Sequence, residues 1–487
     1  MTESKRSNII HILWIFFLLA LPVTSFPYFP GSIGGGASVR PLSVYPLIVL
    51  LILVIIPILW KRPLPRTLLP FLAFILAATA SAVWAATQSM GELRAVSPLM
   101  RGVRGLAALG IGSAFYLAAM IIPRSIIDLR ASLRWLYAGF GLALIWGSLQ
   151  IIYVLKPVPQ FFALMSQVQR FISSRKLMPK RVSGLTYEPK WFAEQICFLL
   201  VPWLLAAVVT RQSVFRWRWR WVTIELILLA WASIVLIFTY SRTGVFVLLI
   251  LYSLAALLFW RQLFYFLHLD QLTLRQASFK DWAMRITLVC GVIILVLGTI
   301  YIAGTKNNYF ARLWTFWNSE TAGSDDYFEY IAFKQRFVYA DTAMRIFEDY
   351  PLQGVGPGNY AFYFDTYLPN QPWNRQPDIL RQITYTEGRD KLITPKNLFA
   401  KILAETGLIG FATFLVFILA ILGCMIYLLL SSEEEWKYFG LAGLFGITAF
   451  VIIAFSFDSF AIPSMWILFG FITAACHLRK AMKSNPT

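Results

Sequence analysis

Residues 408–430 read LIGFATFLVFILAILGCMIYLLL, an apolar run without a single charge. About 20 such residues in helical form cross the ~30 Å hydrocarbon of a bilayer, and a soluble helix has no use for a run this long and uniform. Working outward from it, comparable runs recur at 9–26, 44–60, 67–86, 106–122, 136–155, 191–209, 221–240, 244–260, 286–303, 439–455 and 460–475. Composition agrees: 58% of the residues are hydrophobic, 14% are charged and the mean hydropathy is +0.65. A soluble domain carries nearer a quarter charged residues. The predicted fold class is therefore an all-α integral membrane protein of about 12 transmembrane helices, one polytopic domain over residues 1–487. The first run follows Lys5 and Arg6 without a small-residue cleavage site and reads as a retained helix. Cys197, Cys290, Cys424 and Cys476 lie in or beside apolar runs, as small packing residues do, with neither disulfide nor metal-ligand spacing.

Short loops set the orientation. With a cytoplasmic N-terminus, the inside segments are 61–66, 124–134, 211–220, 261–285 and the tail from His477, and each is basic. The remaining inside loop, 431–437, holds Glu433, Glu434 and Glu435, but acids weigh little in the positive-inside rule. Both termini are then cytoplasmic. Much of the net charge of +19 is accounted for by these loops, with no nucleic-acid partner required.

Two long polar stretches fall outside, 156–190 and 304–394. The first carries Lys156, Arg170, Arg175, Lys176, Lys180, Arg181 and Lys190 against one acid, Glu188. It is either a loop long enough to cross regardless of charge or a cationic cup for an anionic ligand. The second is too long for a connector, and loops of that size are functional or carry structure of their own. Helical spacing over 333–349 predicts one face shared by Arg336, Ala340, Ala343 and Phe347. An arginine on an apolar face needs an anion or an acid such as Asp365 or Glu387. Gly354-Val355-Gly356-Pro357-Gly358 predicts a tight turn and matches no nucleotide-binding pattern. Beyond it, Thr394 and Pro395 read as the cap and first position of a helix at the outer surface, with Lys396 in its first turn. A cation there is out of place unless it snorkels into headgroups or an anion is held at that helix end. Finally, Tyr240-Ser241-Arg242-Thr243-Gly244 is a short outside turn whose arginine lies close to membrane depth, a functional position by default.

In this order, Ser-Arg-x-Gly at 241–244, Arg336, Pro351-Leu352-Gln353-Gly354-Val355-Gly356, Lys396-Asn397-Leu398-Phe399 and Glu405-Thr406-Gly407-Leu408-Ile409-Gly410 resemble the O-antigen ligase and Wzy-type O-antigen polymerase superfamily. The resemblance implies a glycosyltransferase of the bacterial cytoplasmic membrane, with its site on the extracytoplasmic side. Its implied donor is an undecaprenyl-diphosphate-linked oligosaccharide and its acceptor a glycan or lipid hydroxyl; it implies neither cofactor nor metal. Partners are the bilayer and other polysaccharide-assembly proteins. Carried over residue by residue, the catalytic positions are Arg242, Arg336 and Lys396. Arg181, Lys180, Glu188, Asn397 and Tyr240 serve the diphosphate or glycan, and Gly354, Gly356, Glu405 and Gly407 are structural. A leaving diphosphate needs fixed cations, and arginine meets phosphate oxygens two at a time.

One position departs from the pattern. Ligases of the family have histidine where this chain has Lys396, and His11, His268 and His477 all fall at cytoplasmic ends. Lysine there favours holding diphosphate over acid–base work and tilts the reading from ligase to polymerase. A solute transporter, for inorganic carbon as proposed for some relatives, would place ionisable groups near mid-membrane, where Glu225 is almost alone. A non-catalytic scaffold of an assembly machine is the other rival.

Overall fold

The structure is a computed structural model that describes residues 3–28, 39–61, 65–88, 90–220, 222–266, 279–315, 334–369, 379 and 392–484. Among these residues nine helices are long and apolar enough to cross a membrane. In chain order the helices are α1 (Glu3–Ala20), α2 (Val44–Lys61), α3 (Arg66–Ala86), α4 (Pro98–Ile121), α5 (Ile126–Leu155), α6 (Pro159–Ile172), α7 (Pro189–Thr210) and α8 (Ile224–Phe238). Then follow α9 (Arg242–Phe266), α10 (Phe279–Lys306), α11 (Asn308–Thr315), α12 (Lys334–Asp349), α13 (Tyr360–Tyr367), α14 (Leu398–Leu429), α15 (Glu434–Ala454) and α16 (Pro463–Ser484). Of the predicted runs, 9–26 and 221–240 form the shorter apolar helices Asn8–Ala20 and Ile224–Phe238, and 460–475 forms α16, whose charged tail lowers its hydropathy.

Burial ranks the helices from centre to rim. In α7, 94% of the spanning window is buried, whereas in α10 the figure is 0%. Ile294, Leu295 and Ile302 on α10 are each about two-thirds exposed or more, an apolar surface that suits lipid and not water. Without a hydrophobic driving force between helices in lipid, small residues let backbones approach. Gly470 of α16 does this against α4, where an added Cβ would lie 2.4 Å from that of Ala119. Aromatic rings fill the space between α3, α4, α14 and α16, with Phe71 and Phe417 centred 4.8 Å apart and Phe74 and Phe414 5.1 Å apart.

Loop contacts join like ends to like. At one end Thr67 meets His477, Arg130 meets Glu435, and Tyr137 meets Tyr438. A two-stranded hairpin, Arg218–Trp219 with Val222–Thr223, projects exposed Trp217 and Trp219 there. At the other end Ser25 meets Ser174, Arg181 meets Thr239, and Lys396 meets Asp458. Loops assigned to the same side by charge thus lie together.

Candidate functional site

The second end is organised by a break in α14. Gly407 takes φ +64, which interrupts the helix, and the segment from Pro351 to Gly356 fills the gap. Leu408 N–H donates to the Pro351 carbonyl at 2.7 Å and Ile409 N–H to Leu352 at 3.2 Å. In return Val355 and Gly356 N–H groups reach the Ala404 and Glu405 carbonyls at 3.0 and 2.9 Å. Backbone groups freed inside a membrane protein must find partners, and here two broken segments satisfy each other. Ser81 Oγ also reaches the Gln353 and Glu405 carbonyls, at 2.5 and 2.7 Å. Gly354 at φ +65 fits only without a Cβ, which would stand 2.5 Å from the Glu405 carbonyl carbon. The four motif positions Gly354, Gly356, Glu405 and Gly407 therefore meet in one lock. Arg101 of α4 adds a bond from Nε to the Gly358 carbonyl at 3.0 Å.

The lock holds the start of α14 in place, and here the sequence expectation needs correction. The helix begins at Leu398, capped by Asn397, whose Oδ1 accepts from the N–H groups of Phe399 and Ala400 at 3.0 and 3.1 Å. Thr394 and Pro395 lie outside it, because Lys396 adopts φ +52 and turns the chain first. Positive φ is uncommon for a residue with a Cβ, and Tyr240, another candidate position, shares it at φ +50. Such strain gathers where the surroundings impose it, often at functional sites. Lys396 is imposed on by Asp458, from the loop between α15 and α16, whose Oδ2 accepts its N–H at 2.7 Å.

The Lys396 ammonium lies 5.0 Å from the centre of the Tyr339 ring on α12. It remains open to solvent while protein crowds it. This crowding lowers its pKa; Asp458 and Glu188 pull the pKa up, and Lys190 and Arg336 push it down. Arg336 stands one turn before Tyr339, half-buried, its pKa lowered by burial and partly restored by Glu194 of α7. The buried face of α12 is Val338, Tyr339, Thr342, Ala343 and Ile346, so of the four predicted residues only Ala343 is fully buried. Ala340, Phe347 and Arg336 sit at its margin. Asp365 is exposed and Arg94 is its electrostatic neighbour, while Glu387 and His268 lie outside the described residues. Arg336 thus faces Glu194, which the sequence reading passed over. Glu194 is 5% exposed, pairs with Lys190 at 3.3 Å and accepts from Ser456 Oγ at 3.4 Å. Its signal was available: an acid inside an apolar run.

Arg181 of the basic loop meets the short turn that leads to Arg242. Arg181 Nε donates to the Thr239 carbonyl at 2.9 Å and its Nη2 to Tyr240 at 3.4 Å, which caps the end of α8 two residues from Arg242. Tyr240 is buried against Phe310, and this burial raises its pKa. Arg242 opens α9, whose first turn is capped by Ser241 Oγ, and Gly244 packs so closely on α7 that its Cβ would lie 2.7 Å from that of Ala193. Glu188 is tied to Arg175 at 2.6 Å, and Lys180 is exposed, its carbonyl taken by Asn307. Glu225, the acid expected to be nearly alone in a span, accepts from Ser213 Oγ and Val214 N–H at the opposite end. It closes a turn there. His11 and His477 belong to that opposite end too, so among the described residues no histidine stands near Lys396.

Residues 226–415 match a family model described as O-Antigen ligase. Over this stretch the chain is similar to the O-antigen ligase family. Members of this family are glycosyltransferase-like enzymes of polysaccharide assembly. The matched stretch runs from within α8 into α14 and contains Arg242, Arg336, Lys396 and all four positions of the lock. Arg181, Glu188, Lys190, Glu194 and Asp458 stand outside the matched O-antigen ligase stretch, and the fold brings them against it. No curated protein matches the chain.

Proposed function

We propose that the protein is a membrane glycosyltransferase that polymerises glycan units carried on undecaprenyl diphosphate, on the outer side of the bacterial cytoplasmic membrane. The observation that carries this reading is that Arg336 and Lys190, which share Glu194, both stand within electrostatic reach of Lys396. Like charges this close repel, and they are stabilised together by an anion of more than one charge. A lipid diphosphate is such an anion. With the twelve runs as crossings and the basic short loops inside, the end that carries Lys396 faces outward.

In the proposed reaction an acceptor hydroxyl oxygen bonds to the anomeric carbon as the bond from that carbon to the diphosphate oxygen breaks. The bonding pair leaves with the diphosphate, where Arg336, Arg242 and Lys396 meet the developing charge. The hydroxyl proton passes to a carboxylate or to water. Asp458 is the carboxylate that the structure bonds to Lys396, and we assign it this role ahead of Glu188, which is tied to Arg175. A ligase, passing the finished glycan to a lipid or protein acceptor, would use the same cations; Lys396 in the histidine position favours polymerase.

Purified protein incubated with a lipid-linked repeat unit tests the proposal. Ladders of longer lipid-linked glycan are expected. No extension, together with glycan transfer to an added lipid acceptor, would establish a ligase, and neither outcome would leave a scaffold. Solute uptake by proteoliposomes without any glycan transfer would establish the transporter.

A further inference from the structure

At the end opposite Lys396 a cavity of about 560 Å³ opens between α1, α2, α5 and the α4–α5 turn. That volume falls in the ~300–1,000 Å³ range of small-molecule sites. Its walls are apolar, with Leu53, Val54, Pro57 and Ile58 of α2 facing Trp14 of α1 and Trp135 of α5. A π turn at Leu51–Ile55, followed by Pro57, interrupts the regular hydrogen-bond ladder of α2 at this wall. Such turns recur at ligand sites. Trp14 closes the floor, its indole N–H fixed to Ser132 Oγ at 2.9 Å.

The rim has the opposite character, formed by His11, Lys61, Arg124 and Asp128. Asp128 is answered locally: its Oδ2 accepts the Arg124 N–H at 3.0 Å, and it sits in the first turn of α5, where the helix dipole favours an anion. Neither the Lys61 nor the Arg124 side chain pairs with a carboxylate among the described residues. An apolar trough with two cations at its mouth fits an amphiphile with an anionic head. From Lys61 to Leu53 the wall runs eight residues, or about 12 Å of helix at ~1.5 Å per residue. One leaflet of hydrocarbon is ~15 Å deep. The trough is therefore one acyl chain deep, with its cations at headgroup level.

We propose that this cavity binds one anionic glycerophospholipid of the leaflet on that side, phosphate at Lys61 and Arg124 and one acyl chain between Trp14 and Trp135. The site is remote from the proposed glycan chemistry and does not depend on it. Native mass spectrometry of the full-length protein, titrated in detergent with phosphatidylglycerol or with phosphatidylcholine of the same chains, tests it. Each basic residue near an anionic headgroup contributes roughly a fivefold factor, so with two of them a preference for phosphatidylglycerol of about twenty-fivefold is expected. The exposed substitutions Lys61→Glu and Arg124→Glu, alone and together, should abolish that preference while the protein stays monodisperse. Val54→Trp, which fills the trough, should weaken both lipids. Equal binding of the two lipids, or a preference untouched by the charge reversals, would overturn the proposal. So would displacement of phosphatidylglycerol by an equimolar polyprenyl monophosphate, because the occupant would then be a carrier lipid.

Discussion

Asp458 Oδ2 accepts the backbone N–H of Lys396 at 2.7 Å, while the Asp458 carbonyl takes the Lys401 ammonium at 2.9 Å. The loop between α15 and α16 thereby holds both the left-handed turn at Lys396 and the first turn of α14. Hydrogen bonds to a charged partner contribute about 1.5–3 kcal/mol. Asp458→Ala should therefore loosen the position of Lys396 and reduce glycan extension by at least tenfold. Asp458→Asn keeps an acceptor for the N–H but loses the charge. If Asp458 takes the proton, the asparagine variant should be as inactive as alanine with normal donor affinity; substantial recovery by asparagine would leave Asp458 a positioning residue.

Gly407 gives a prediction about folding. A Cβ there would fall 2.4 Å from the Leu352 carbonyl, at a φ that side chains rarely adopt. Gly407→Ala should break the lock between the two segments, with strain alone costing about 1–3 kcal/mol. Gly423, in the same helix, has nothing within 4 Å of its Cβ direction. Gly423→Ala should be neutral or stabilising by up to ~1 kcal/mol. Thermal unfolding in detergent, run on both variants, should give shifts of opposite sign or a loss confined to Gly407→Ala.

Arg336→Lys retains charge but loses the planar fork that meets two phosphate oxygens at once. Opposite Glu194, a lysine would also rest as a simple ion pair. Extension should fall at least tenfold, at saturating donor as well as below it, because the contact strengthens as charge develops on the leaving group. Activity within roughly twofold of the unsubstituted protein would reduce Arg336 to a source of field or to packing.

Much of this architecture is legible in the chain because lipid leaves few alternatives. A run such as 408–430 has one stable form, and charge then orders the loops. Gly354 is legible as a turn, but the break at Gly407 and its joining to the first segment are not, since no local pattern says that two segments distant in sequence satisfy each other. The start of α14 departs from its local signal for a related reason. Thr394-Pro395 is a sound local signal, yet the left-handed turn at Lys396 rests on Asp458, far along the chain. Glu194 and Glu225 look alike in the sequence, each an acid within an apolar run, yet Glu225 closes a turn with Ser213 and Val214 whereas Glu194 pairs with Lys190. The acid that faces Arg336 stands on α7, outside the loop that carries the arginine, where spacing within the loop gives no sign of it.

The last prediction concerns the charge of Lys396. Crowding by protein sets its pKa below the ordinary lysine value, so the cation is lost at a lower pH than in the unfolded chain. If the cation holds diphosphate, donor affinity should be full below that folded-state pKa and fall as pH rises through it, before pH ~10.4 is reached. Lys396→Arg stays charged at every accessible pH and should lose this alkaline limb while binding donor near neutrality. Lys396→Ala should bind donor more weakly without the limb and without a new acidic one. Lys396→His is the sharpest variant, since it restores the residue that the family's ligases carry. Near pH 7 a histidine among Arg336 and Lys190 is mostly neutral, so turnover should drop. Titration of the donor across pH 6–10 against all four proteins separates the alternatives. A histidine variant as active as the lysine protein, with an ascending limb near its own pKa, would return this position to acid–base chemistry.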